Sequence, residues 1–163
     1  MALVKENIEI TCVINGKPVR QTVLSRMHLG DFLRGQLDLN GIHLGCEHGV
    51  CGACTVLVDG LLVRSCLMLA AQIDGCDVQT IEGAVETGEV DLLMKAFQKR
   101  NAAQCGFCSP AMILTTAQII KKADRPSREQ IREAISGNFC RCTGYQAIVD
   151  AVEDIFDQRE TKR

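Results

Sequence analysis

The sequence predicts an α+β chain in two parts, a β-rich unit over residues 1–82 followed by a helical unit over 83–163. Three observations predict it. Apolar and polar residues alternate with period two through Asn7–Ile14 and resume after a turn. Near Glu82-Gly83 the period changes to 3.6 and stays there. Eight of the ten cysteines divide into two sets of four, one set in each part.

Within the first part, Asn15-Gly16 is a strong hairpin signal, so Lys17–Val23 is expected to return antiparallel on Asn7–Ile14. Leu29–Leu37 reads as a short helix with Leu29, Phe32, Leu33 and Leu37 on one side, although Gly30 and Gly35 weaken it. Thr55–Val58, the Asp59-Gly60 turn and Leu61–Arg64 form a second hairpin, and Asp77–Ile81 a last strand. A helix crossing a small mixed sheet is the simplest assembly. In the second part Val90, Leu93, Ala96 and Phe97 outline one helix. Ser109 caps another with Pro110 at its first position, running to about Lys122. Ser127 with Gln130 makes a capping box for a third, and Ile148, Val149, Val152, Ile155 and Phe156 stripe a fourth from Tyr145 to Phe156. Four short helices joined by short loops read as a bundle.

Composition narrows the function. The 163 residues are 47% hydrophobic, enough for packed cores. A net charge of −2, no basic run, five Phe, one Tyr and no Trp supply poorly what nucleic-acid binding needs. No apolar stretch reaches bilayer length, and Met1–Glu9 lacks a signal-peptide apolar region and a twin-arginine pattern, so a cytoplasmic location is expected. In that reducing compartment ten cysteines point to metal rather than to disulfides.

Cys46, Cys51, Cys54 and Cys66 are spaced C-x4-C-x2-C-x11-C, the plant-type [2Fe-2S] pattern. Gly45, Gly49 and Gly52 let such a loop curl and aim N–H groups at sulfur. A zinc ribbon usually offers two C-x2-C knuckles, and the four-residue gap between Cys46 and Cys51 is awkward for that. A Rieske centre fails because Leu69 stands where its second histidine would be, which leaves His48 as a loop residue. His28 and His43 read as ordinary surface or packing residues. Cys105, Cys108, Cys140 and Cys142 form C-x2-C-x31-C-x1-C, with each pair just before an expected helix start. Two helix N-termini would then direct partial positive charge at one anionic site. Cys12 and Cys76 read as small buried hydrophobes and are assigned no metal.

The runs Gly45–Val56, Gln104–Pro110 and Asn138–Tyr145 carry a resemblance over nearly the whole chain. It resembles the iron–sulfur (small) subunit of the xanthine oxidase and carbon monoxide dehydrogenase family of molybdenum hydroxylases. The resemblance implies a plant-ferredoxin-like β-grasp followed by a four-helix bundle with approximate two-fold symmetry. It implies two [2Fe-2S] clusters, one on each quartet. The chain would then be an oxidoreductase subunit without a substrate site of its own. Electrons would pass from a molybdenum–pterin cofactor, a cytosine dinucleotide or its mononucleotide form, on a large subunit, through the helical-unit cluster and the ferredoxin-like cluster, to FAD on a medium subunit. A dimer of heterotrimers is the implied assembly, and Gln104 matches the residue that contacts the pterin. Val50, Phe107 and Phe139 could exclude water at the subunit junctions, with core packing the preferred role for Phe139. Two other classes compete: a free-standing two-cluster ferredoxin, disfavoured by the weak net charge, and a zinc-stabilised binding module.

Overall fold

The computed structural model describes residues 6–122 and 124–161. Most of the Met1–Glu9 stretch, and the outermost residues of both expected units, lie outside it. Strands β1 (Asn7–Ile14), β2 (Lys17–Leu24), β3 (Thr55–Val58), β4 (Leu61–Arg64) and β5 (Asp77–Gln79) form one five-stranded sheet in the order β2-β1-β5-β3-β4. Both expected hairpins form, with Ile14 opposite Lys17 and Val58 opposite Leu61. Asn15 and Asp59 take the left-handed conformation ahead of their glycines, as two-residue hairpin turns require. β5 runs parallel to β1 and antiparallel to β3, which makes the sheet mixed.

Helix α1 (Leu29–Gly35) buries Leu29, Phe32 and Leu33 against the sheet. Gly30 belongs there because a Cβ would press on the Leu44 side chain and the Ser65 hydroxyl. The sheet core gathers Ile10, Ile14, Val23, Phe32, Ile73 and Val78. β3 is buried along its whole length because both faces are covered: Val56 and Val58 enter this core, while Leu57 enters a second core built by the helices.

Five helices follow: α2 (Ile81–Glu86), α3 (Asp91–Lys99), α4 (Ser109–Lys122), α5 (Arg128–Ile135) and α6 (Gln146–Thr161). Helix α2 stands where the sequence suggested only the end of a strand and a change of period. Its six residues are too few to show a helical repeat. The Ser127 box on α5 forms as expected: the Gln130 N–H donates to Ser127 Oγ and the Ser127 N–H donates to Gln130 Oε1. α4 opens at Ser109 itself, and α6 one residue after Tyr145, which adopts a left-handed φ of 66°. Among the described residues no helix is long and apolar enough to cross a membrane.

α6 is pinned on two sides by ion pairs. Arg128 of α5 donates to Asp150 at 2.7 Å and to Glu153. Arg100, at the end of α3, grips the 8% exposed Asp154 through two bonds, Nη2 to Oδ1 at 2.5 Å and Nε to Oδ2 at 2.9 Å. The Arg100 guanidinium holds the Asp154 carboxyl below its ordinary value of 3.8. A depressed carboxyl stabilises the fold above its unfolded pKa, and that stabilisation disappears as pH falls through the folded value. Asp154→Asn is therefore expected to cost about 2 kcal/mol at neutral pH. The gap from wild type should begin to narrow as pH falls below the ordinary value of 3.8 and close only beneath the lowered folded value, which urea titrations across pH would measure.

Candidate metal centre: two thiol quartets joined by a polar seam

The ten-residue stretch from Gly45 to Cys54 contains three residues with positive φ, namely Glu47 (55°), Gly49 (83°) and Gly52 (74°). These reversals curl the loop so that successive N–H groups face inward. The Cys51 N–H lies 3.4 Å from Cys46 Sγ, and the N–H groups of His48 and Val50 face the same sulfur. Together, with the Cys51 amide contributing most, they pull the Cys46 thiol down to about 6. Cys66 comes from beyond β4 and meets Cys54, with the Gly49 N–H also reaching it. Burial, reinforced by the Cys54 thiol, pushes Cys66 up to about 11. Cys46 and Cys66 also feel each other's charge, so the four thiols share one site.

The second quartet brings together the loop before α4 and the loop before α6. Cys105 and Cys142 face each other with 3.5 Å between sulfurs, and Cys108 is hydrogen-bonded to Cys140. Burial and the Cys140 thiol push Cys108 up to about 12. Cys105 is lowered, chiefly by the Phe107 N–H. Burial pushes Cys140 up, but hydrogen bonds from the Thr143 hydroxyl, the Thr143 and Cys142 amides and the Cys108 thiol outweigh it and leave Cys140 below its ordinary value. The expected helix-terminus geometry needs correction at one pair. Cys108 does abut α4, and its carbonyl accepts from Met112. Between Cys142 and α6, however, Thr143, Gly144 and Tyr145 form a separate turn.

All eight thiols are free of disulfides. Within each site they fall into twos: Cys46 with Cys51 and Cys54 with Cys66, then Cys105 with Cys142 and Cys108 with Cys140. Among the described residues no three His, Cys, Asp or Glu side chains converge as a single ion would need. Sulfur-only donors grouped in pairs fit a binuclear iron–sulfur core, in which each iron takes two thiolates. They fit tetrahedral zinc less well. Cys12, on β1, is buried as expected, whereas Cys76, just before β5, is only half-buried; the charges that Cys12 feels are those of Asp74 and Cys76, not of a quartet cysteine.

A polar seam joins the two sites directly. The Phe139 N–H donates to the Cys51 carbonyl at 2.8 Å, so the residue before Cys140 is bonded to a cysteine of the first quartet. Asn138, only 2% exposed, donates from Nδ2 to the Gly52 carbonyl at 3.1 Å and accepts the Thr115 hydroxyl. Arg64 spans the same joint, donating to Thr55 Oγ1 and to the Gly137 carbonyl. Gly52 sits so close to this segment that a Cβ would overlap the Gly137 carbonyl oxygen. On the other side His43 stacks on Phe107 with centroids 4.7 Å apart, and its Nδ1 donates to the Phe107 carbonyl at 2.6 Å. His43 is therefore an inter-loop contact, more than the ordinary surface or packing residue expected.

Several side chains differ from expectation or were missed. Phe139 is not core; it is 52% exposed, because its backbone faces the seam and its ring faces outward. Val50 and Phe107 are exposed too, as is Leu67, which packs over Gly49 and was not singled out. Gln104 is exposed beside Cys105. Arg64, Asn138 and Thr143 escaped sequence reading, although each lies within three residues of a quartet cysteine. That proximity was the available signal.

Comparison with known proteins agrees with this geometry. Residues 12–75 match the 2Fe-2S iron-sulfur cluster binding domain, and residues 80–153 match the [2Fe-2S] binding domain. The chain is 47% identical to the nicotine 6-hydroxylase small subunit of Paenarthrobacter nicotinovorans, over 91% of this chain and 90% of that one. It is 44% identical to the xanthine dehydrogenase iron-sulfur-binding subunit of Escherichia coli O157:H7, over 91% and 94% respectively. Among solved structures, quinoline 2-oxidoreductase from Pseudomonas putida 86 matches with a TM-score of 0.89 and 44% identity, over 98% of each chain.

Proposed function

The chain belongs to the small iron–sulfur subunits of the molybdenum hydroxylases, the family of xanthine, aldehyde and nicotine dehydrogenases, and from that membership we propose that it conducts electrons between two larger partner subunits. In this reading Cys46, Cys51, Cys54 and Cys66 hold one [2Fe-2S] cluster, and Cys105, Cys108, Cys140 and Cys142 hold a second. Each cluster, when bound, supplies a one-electron carrier. The chain would receive electrons from a molybdenum–pterin site on a large subunit, where Gln104 contacts the pterin, and deliver them to FAD on a medium subunit. Residues 1–82 would form the ferredoxin-like β-grasp. In 83–163, α3–α6 would form the symmetric four-helix unit, with α2 as connector. A dimer of heterotrimers in the cytoplasm completes the reading, consistent with ten free cysteines.

The observation that carries this reading is the pairing of eight free thiols into two sites whose loops are bonded backbone to backbone. The residues' own contributions follow from it. Cysteines with raised pKa values, Cys66 and Cys108, give up their protons as metal binds. The loop amides at Cys46 steady the negative charge that ligation brings. Exposed Val50, Leu67, Phe107 and Phe139 suit burial against permanent partners better than a transient shuttle does.

The purified native assembly should contain about four irons per copy of this chain, two for each cluster. Its visible bands should bleach with dithionite, giving two distinct EPR signals. Flavin- and molybdenum-bearing chains should co-purify with it. Zinc in place of iron, or a colourless protein, would refute the reading, and elution of the chain alone would favour the free shuttle.

A further inference from the structure

Three hydrogen bonds close a ring over residues 140–145. The Cys140 N–H donates to the Tyr145 hydroxyl at 2.8 Å, the Tyr145 N–H donates to Thr143 Oγ1 at 3.2 Å, and Thr143 Oγ1 lies 3.1 Å from Cys140 Sγ. The turn that makes this possible places Gly144 at φ 63° and Tyr145 at φ 66°, which carries the ring of the chain's single tyrosine back over Cys140. Tyr145 immediately precedes α6, its carbonyl accepting from Ile148 and Val149, so the turn is anchored at its far end.

The ring fixes the direction of one proton. Thr143 Oγ1 already accepts an N–H from Tyr145, so its own hydrogen is free to face sulfur. A thiolate bound to metal carries no hydrogen, which leaves Thr143 as the donor. We propose that Thr143 is a potential-setting residue, whose hydroxyl donates to the Cys140 sulfur and makes the second site easier to reduce than it would otherwise be. This rests on Cys140 being a cluster ligand, as proposed above. The physical reason is charge: reduction adds an electron to a centre that is already anionic, and a fixed donor stabilises the more negative state more strongly. Rigidity matters because a free hydroxyl would lose part of this effect to rotation, whereas this one is held from both sides. The first site depends on backbone amides at Cys46, so side-chain substitution can tune the second site without touching the first.

The test is a redox titration followed by EPR on the intact complex carrying Thr143→Val. Iron content and the number of signals test the cluster assignment; the midpoints test this proposal. Both signals should persist with iron unchanged. The midpoint of one signal should fall by about 59 mV, equivalent to about a tenfold shift toward the oxidised form, while the other stays in place. Thr143→Ser, which keeps the hydroxyl, should restore the wild-type midpoint. An unshifted midpoint in the valine variant would overturn the proposal, as would a serine variant that shifts as far as valine. If valine costs the second signal, Thr143→Ala removes the hydroxyl without branching. Loss of the signal there too would make the contact a requirement for assembly and would also overturn the proposal.

Discussion

Serine in place of Cys105 is expected to halve the iron, from about four to about two per chain, to erase one of the two EPR signals and to stop turnover of the assembled enzyme while FAD remains bound to its own subunit. Cys105 is exposed and faces Cys142 across 3.5 Å, so the exchange opens no cavity in the helical core, and the fold should survive. What fails is the donor set: a hydroxyl is a poor substitute for a soft thiolate on iron. Cys142→Ser should behave alike because it removes the opposite member of the same pair. Iron analysis, EPR, flavin content and steady-state rate are the measurements. Full turnover in either variant would show that electrons do not pass through this site.

Gly52→Ala should be the most destabilising single methyl addition in the first loop. Gly52 stands at φ 74°, where an L side chain is strained, and the new Cβ would overlap the Gly137 carbonyl oxygen, which is backbone and already engaged by Arg64. Strain and overpacking together should cost about 3 kcal/mol, a fall of about 8 °C in Tm for a chain of this size. Gly16→Ala is the control: its φ is 74° too, but nothing lies within 4 Å of the added Cβ. Only the conformational term remains there, about 1 kcal/mol. Equal losses in the two variants would mean that the seam yields freely.

The contrast between these glycines shows what was legible in the sequence. Asn15-Gly16 and Asp59-Gly60 announce their turns through local backbone chemistry, and Ser127 announces α5 through a contact three residues away. The cysteine quartets are legible because their spacing and loop glycines are themselves local. The seam is not. Arg64 reaches Gly137 across 73 positions and Asn138 reaches Gly52 across 86, and no periodicity records such a meeting. Phe139 misled for the same reason: an aromatic residue beside cysteines resembles core until the backbone bond to Cys51 fixes which way its ring must face. Helix α2 was hidden by brevity. Thr143 was hidden because its partner is an atom of a neighbouring cysteine rather than a motif.

The tip of the first hairpin has a second occupation. Asn15 Oδ1 accepts the Thr80 N–H at 2.8 Å, its Nδ2 donates to Thr80 Oγ1 at 3.0 Å, and Gly83 leaves room for it by lacking a Cβ. Hairpin tips are ordinarily where chains accept insertions and fused tags most readily. Here the tip is a strut braced against the start of α2, which makes it a poor place to splice in a reporter. The stretch joining the two halves is a stiff elbow rather than a leash.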